Sequence, residues 1–284
     1  MGNRYIKELR SSIIAPPGHK LVVVDSKQIE GRTLPWAAGD TEKLAKYEAG
    51  IDIYAELATD IYGYPVNRKK QLTEGMVGKT GELGLGYGMG APKFRYTLAV
   101  GQFGPPVFIE EPEAKRAVEA YRKKNSLTVD FWRFMDARLV DMLEGREYNW
   151  KDIAIFHSDG VDMPNGLTLW YPGLEADTNQ WSGGYRNFTY QNHKGHSKIY
   201  GALFTENFIQ SLARIIVGWQ ILQVADDYRV VMMSHDEVTL CVPANQAERA
   251  LEDTIKAFEI PPTWCKDLPV GGDGSIADNY GDAK

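Results

Sequence analysis

Three short stretches concentrate the residue types that can do chemistry. Lys20 to Asp25, KLVVVD, is a β-branched run ending in an acid. In MMSHDEVTLCVP, His235, Asp236 and Glu237 stand between two apolar runs, although acids are depleted from strands. Glu74 to Gly90, EGMVGKTGELGLGYGMG, sets Lys79 among seven glycines. Carboxylates at neighbouring strand ends are hard oxygen ligands for divalent cations. Two such ions about 3.5 to 4 Å apart can activate a hydroxyl and stabilise a leaving phosphate. A lysine beside side-chain-free backbone suits an anionic ligand, by charge-assisted hydrogen bonding. Each stretch also has a plainer reading: Asp25 as a loop cap, the acidic pair as a solvated turn, the glycines as tight helix packing or a loop.

The Gly78-Lys79-Thr80 tripeptide resembles the tail of a phosphate-binding P-loop, but that loop needs a glycine at position 73 and a buried strand leading in. Position 73 is Thr, and the lead-in YGYPVNRKKQLT is polar and basic. The segment reads instead as a helix over about 73–90, capped by Thr73. On a helix Lys79, Leu83 and Tyr87 share one stripe, and Gly75, Gly78, Gly81 and Gly84 form a neighbouring stripe. Each glycine costs a helix roughly 0.5–1 kcal/mol relative to alanine, so close approach to something, a ligand or another helix, must repay it.

The elements that position these residues follow from patterning. KLVVVD reads as a buried strand, and RVVMMS with VTLCVP as a hairpin with acids at its tip. QIEGRTLPWAAGD reads as helical, with Pro35 tolerable only in a first turn. Helices are expected over 41–62, closed by Gly63 and Pro65, then over 113–124, 128–143 and 246–259. Thr205 begins the best amphipathic helix, with Phe208, Ile209, Leu212, Ile216 and Trp219 on one face. Residues 145–198 carry hairpin-like rather than helical signals. The expected fold is α+β.

Composition is that of an ordinary globular chain, 284 residues with 43% hydrophobic and 25% charged residues. The net charge of −6 gives no bulk attraction to nucleic acid, so such contacts must use local basic patches. Arg68-Lys69-Lys70 is one; Lys115, Arg116, Arg122, Lys123 and Lys124 form another. Runs of this kind more often form solvated faces. Two distant cysteines, Cys241 and Cys265, argue against a disulfide framework and fit a reducing compartment, the cytoplasm or a host cell's cytoplasm. No apolar run reaches the about 18–20 residues of a membrane span. A zinc module from His193, His196, Cys241 and Cys265 lacks any CxxC pair.

Together, in this order, the three stretches resemble the A, B and C motifs of family A (Pol I-like) DNA polymerases, most closely the bacteriophage type. Motif A, close to DYSQIELR in that family, is Asp25-Ser26-Lys27-Gln28-Ile29-Glu30-Gly31-Arg32 here. Motif B is carried by Lys79, Leu83 and Tyr87-Gly88, and motif C by Ser234-His235-Asp236-Glu237-Val238. LFTENFIQSLAR resembles the helix preceding motif C, with Gln210 at the family's minor-groove glutamine. The resemblance runs from about Arg10 to the C-terminus. It implies a template-directed DNA polymerase, a nucleotidyltransferase of DNA replication that adds dNTPs to a primer 3′-hydroxyl with two Mg2+ ions.

By the same resemblance Asp25 and Asp236, helped by the Ser26 carbonyl, hold the metals. Lys79 contacts the triphosphate and protonates the pyrophosphate leaving group. Leu83, Tyr87 and Gln28 contribute to the dNTP site, and Glu30 crowds the sugar 2′ position. His235 and Gln210 contact primer-template DNA, and Glu237 is an accessory acid. The implied arrangement is a small antiparallel palm sheet backed by helices: residues 1–39 and 161–284 form the palm, and a mainly helical fingers subdomain spans 40–160.

Two departures from the family pattern stand out. Gly75 occupies the place of an arginine one turn before the motif B lysine, with Arg68, Lys69 and Lys70 lying well upstream. Motif A also begins only about 24 residues into the chain, leaving no room for a thumb or exonuclease domain ahead of it. The expectation is therefore half of a split or truncated enzyme, completed by a second polypeptide that supplies those domains. The alternative is a catalytically degenerate chain that binds DNA or a partner protein.

Overall fold

The structure, a computed structural model, describes residues 8–182 and 185–283. In chain order its elements are β1 (His19–Ser26), α1 (Ile29–Ala38), α2 (Thr41–Glu48), α3 (Ile53–Tyr62), α4 (Leu72–Gly84), α5 (Ala91–Val100), α6 (Glu111–Lys124) and α7 (Ser126–Leu143). Seven strands follow: β2 (Tyr148–Trp150), β3 (Ala154–His157), β4 (Gly160–Asp162), β5 (Thr168–Trp170), β6 (Glu175–Ser182), β7 (Tyr185–Asn192) and β8 (Gly195–Ile199). The chain closes with α8 (Gly201–Leu222), β9 (Val230–Ser234), β10 (Glu237–Pro243), α9 (Ala247–Phe258) and β11 (Gly272–Ala277). The fold is α+β, as expected. It divides into two compact units, one of Met1–Arg32 with Leu212–Lys284 and one of Thr33–Ser211. No helix among the described residues is long and apolar enough to cross a membrane.

The first unit is built on an antiparallel sheet of order β11-β1-β10-β9. Leu21, Val22, Val23 and Val24 are all buried, which is why β1 reads as a continuous apolar run rather than an alternating one. Leu21 and Val23 pack with Ala277, Tyr280 and Ala283. On the opposite face β1 and β11 carry α9. Strand β11 carries no strand signal in the sequence, because Gly272-Asp-Gly-Ser has little strand propensity. Its glycines are there for packing: a Cβ on Gly272 would lie 2.9 Å from Phe258, and one on Gly274 2.9 Å from Leu251, both α9 residues.

The second unit packs α3 to α6 around Leu57, Val77, Leu85, Phe94, Leu98 and Tyr121. Beyond them lie a four-stranded sheet, β2-β3-β4-β5, and a three-stranded sheet, β6-β7-β8. Rings cement the first of these to α8: Phe156 meets Phe204 edge-on at 5.7 Å, and Trp150 meets Phe208 at 5.1 Å.

Three local expectations are corrected. Pro35 lies in the interior of α1, where buried Leu34 and Trp36 hold the helix despite its missing donor. Thr73 does not cap α4; Gln71 takes the N-cap position without a side-chain hydrogen bond. The amphipathic helix starts at Gly201, four residues before Thr205, because Asp136 accepts from the Gly201 N–H at 2.5 Å and so caps it from another helix.

Candidate active site

In the first unit β1 delivers Asp25 and the β9–β10 hairpin delivers Asp236. Sheet register decides their meeting. Asp25 pairs directly with Glu237, and the Ser26 N–H donates to the Asp236 carbonyl at 2.9 Å. Asp25 and Asp236 therefore sit at one end of adjacent strands, both partly buried. The hairpin turns through His235 and Asp236 alone, closed by the Ser234–Glu237 pair. His235 takes φ +54, a left-handed conformation that histidine tolerates better than bulky residues. Arg214 of α8 donates to the His235 carbonyl at 3.2 Å and ties the turn to that helix. Glu237 is buried and accepts from the Tyr280 hydroxyl at 2.5 Å.

The loop after β1 is equally determined. Gln28 takes φ +51 and is exposed, with its carbonyl accepting from the Arg32 N–H at 3.0 Å. The Arg32 side chain folds back onto the Lys27 carbonyl at 2.8 Å and the Pro269 carbonyl at 3.3 Å. Glu30, in the first turn of α1, is partly buried. Asp25, Ser26, Glu30, His235, Asp236 and Glu237 are thus brought onto one unit.

The two carboxylates at adjacent strand ends, beside the Ser26 backbone, are hard oxygen donors of the kind a divalent cation takes. Among the described residues no group of three or more His, Cys, Asp or Glu side chains could hold a metal ion. Cys241 and Cys265 are free thiols, Cys241 on β10 and Cys265 buried. Burial pushes the Cys265 thiol up to about 12.

In the second unit Lys79 and Leu83 lie on α4, both partly buried. Tyr87 is not on that helix. The helix ends at Gly84 and a 3-10 turn carries Leu85–Tyr87, ended by Gly88 at φ +77. Trp132 Nε1 donates to the Gly86 carbonyl at 2.8 Å and pins the turn. The expected single stripe of Lys79, Leu83 and Tyr87 is therefore broken after Leu83.

The glycines of α4 serve helix packing rather than a ligand. A Cβ on Gly78 would stand 2.2 Å from the Tyr54 carbonyl of α3, and one on Gly81 2.7 Å from Leu57. The backbones of α3 and α4 approach too closely for any side chain there. Gly75 has a different neighbour, the Arg68 stem, whose Cγ would be 2.9 Å from an added Cβ. Arg68, remote in sequence, lies across the turn that precedes Lys79. Its guanidinium pairs with Asp52 at 3.0 Å and lies 4.8 Å from the Tyr54 ring centroid. Gln210 is exposed on α8.

Part of the basic character of α6 is internally neutralised: Lys124 pairs with Glu56 and Asp60, and Lys115 with Glu111. Arg68, noted upstream of Gly75, lies against it; Arg214 and Tyr280 carry no local signal, since each acts on residues far away in the chain.

A family model described as DNA polymerase family A matches residues 2–143. A DNA polymerase of Bacillus phage SP02 is 28% identical over 96% of the chain and 43% of its own length. DNA polymerase I of Rhizobium leguminosarum is 25% identical over 98% of the chain and 24% of its own length. The chain thus spans less than half the length of these relatives. The fold is shared with the polymerase domain of Pol1 from M. smegmatis, solved in complex with DNA primer-template and dNTP, at a TM-score of 0.56 and 17% identity over 98% of the chain and 43% of that structure.

Proposed function

The chain belongs to DNA polymerase family A, and from that premise we propose that it carries the catalytic centre of a template-directed DNA polymerase. The observation that supports this most is the pairing of Asp25 opposite Glu237 with the Ser26–Asp236 backbone bond, which sets two acids on adjacent strand ends. Asp25 and Asp236, with the Ser26 carbonyl, would hold two Mg2+ ions. Bound there, the ions lower the pKa of the primer 3′-hydroxyl and offset charge on the triphosphate.

The chain's own residues supply binding and orientation. Lys79 pairs with the triphosphate of the incoming dNTP and donates a proton to the departing pyrophosphate. Leu83 and Tyr87 flank the base and Gln28 the nucleotide. Glu30 fills the space a 2′-hydroxyl would need and so favours deoxyribose. His235, exposed at the tip of the hairpin, and Gln210 contact primer-template DNA, and Glu237 acts as an accessory acid. Base pairing supplies the sequence information, so the protein needs backbone and shape contacts only.

Primer extension by the purified chain, with Mg2+ and four dNTPs, tests the reading against an Asp236→Ala control. Extension lost in the control supports it. Equal extension by both proteins would sink it. A second reading, a DNA-binding chain without catalysis, is favoured by Gly75, where Arg68 is held by Asp52 rather than presented free. DNA binding by the parent chain without Asp236-dependent extension would select that reading.

A further inference from the structure

Tyr280 belongs to the C-terminal segment, more than 40 residues beyond the acidic turn, yet its hydroxyl reaches the residue that closes that turn. It donates to Glu237 Oε1 at 2.5 Å. Ser234 and Glu237 are the cross-strand pair that closes the two-residue turn of His235 and Asp236. One hydroxyl thus clasps the hairpin at its last pair, directly beneath Asp236. Tyr280 and Glu237 are only 4% and 2% exposed, so water competes little for these bonds.

The clasp is itself anchored. The Tyr280 N–H donates to the Ile13 carbonyl at 2.9 Å, and Ile14 bridges to Asn279. The Arg10 guanidinium lies 5.1 Å from the Tyr280 ring centroid. The ring packs with Leu21 and Val23 of β1, the strand that ends in Asp25. The same residue therefore touches β1 and β10, the strands that carry Asp25 and Glu237.

We infer that Tyr280 is a positioning residue, whose hydroxyl fixes the His235–Asp236 turn through Glu237 and so sets the Asp236 carboxylate against Asp25. A turn of two residues, one of them held at φ +54, has alternatives nearby in energy. A buried hydrogen bond to a carboxyl group is among the stronger ones available to select one. The inference rests on the reading of Asp236 as a metal-holding acid, and its test separates the two.

Tyr280→Phe keeps the ring, its packing and the Arg10 contact, and removes only the hydroxyl. Amide hydrogen exchange across 234–237 should accelerate about tenfold in Tyr280→Phe, the loss of one strong hydrogen bond, with α9 unchanged. Mn2+ affinity should fall several-fold. On primed DNA, kcat should drop while KM for dNTP holds, a split that general destabilisation does not produce. Unchanged exchange at 234–237 in Tyr280→Phe overturns the inference whatever the activity. If the parent chain binds Mn2+ no better than Asp236→Asn, the reading of Asp236 fails instead, and the exchange data still decide whether Tyr280 holds the turn.

Discussion

Asp25 and Glu237 face each other across β1 and β10, so the acid that begins one motif and the acid that follows Asp236 are cross-strand neighbours. Because side chains alternate along a strand, a one-residue slip would turn Asp25 to the opposite face of the sheet. The Ser26 N–H bond to the Asp236 carbonyl at 2.9 Å, just beyond the Asp25–Glu237 pair, holds that register.

Asp25→Asn and Asp236→Asn are expected to abolish Mg2+-dependent primer extension, by about a thousandfold or more as in the loss of a catalytic unit, while leaving the thermal transition within a few degrees. Both side chains lie at strand ends rather than in the core. Extension rates alongside melting curves check this, and a variant with full activity would remove its residue from the site.

Gly78→Ala should destabilise the chain by about 1–3 kcal/mol, the range for overpacking. The new methyl would meet the Tyr54 carbonyl at 2.2 Å, and a backbone atom in a packed helix pair cannot swing aside. Gly218→Ala is the internal contrast: nothing lies within 4 Å of an added Cβ on that α8 residue. It should stabilise by about 0.5–1 kcal/mol through helix propensity. Urea unfolding of both variants checks the opposite signs.

Lys43 is buried between Glu82 at 2.6 Å and the Asn125 amide oxygen at 2.7 Å, with the Tyr121 ring 5.6 Å away. Lys43→Met strands the Glu82 charge and should cost about 3–5 kcal/mol, as for half of a buried ion pair. Adding Glu82→Met should recover part of that loss. Additive losses in a double-mutant cycle would mean that the pair is not coupled.

Cys265 should resist alkylation under native conditions, since burial raises its thiol to about 12, whereas the more accessible Cys241 reacts first. Proton linkage fixes the sign of the pH effect. The folded pKa exceeds the ordinary value of 9, so the folded state holds the proton more tightly. That contribution to stability is complete below pH 9 and is lost as pH rises towards 12. Cys265→Ala should flatten the alkaline side of the stability profile, measured by denaturation at stepped pH.

Much of the first unit was legible in the sequence. Four β-branched or aliphatic residues before Asp25, and two apolar runs flanking a polar tripeptide, are local signals that need only the alternation rules of strands. The acids at the strand ends could be singled out from residue type and position alone. Local patterning states that a face will be covered but not by what. The glycine stripe of α4 was readable as close approach, and only the fold showed that the approaching surface is the α3 backbone. Strand β11 was hidden because its glycines answer to α9, not to strand propensity. Tyr280 reaches Glu237 through long-range packing that leaves no periodic trace. The sequence alone determined which groups are present and which elements carry them; tertiary structure decided their neighbours, because hydrogen-bond and packing partners are set by distances between segments remote along the chain.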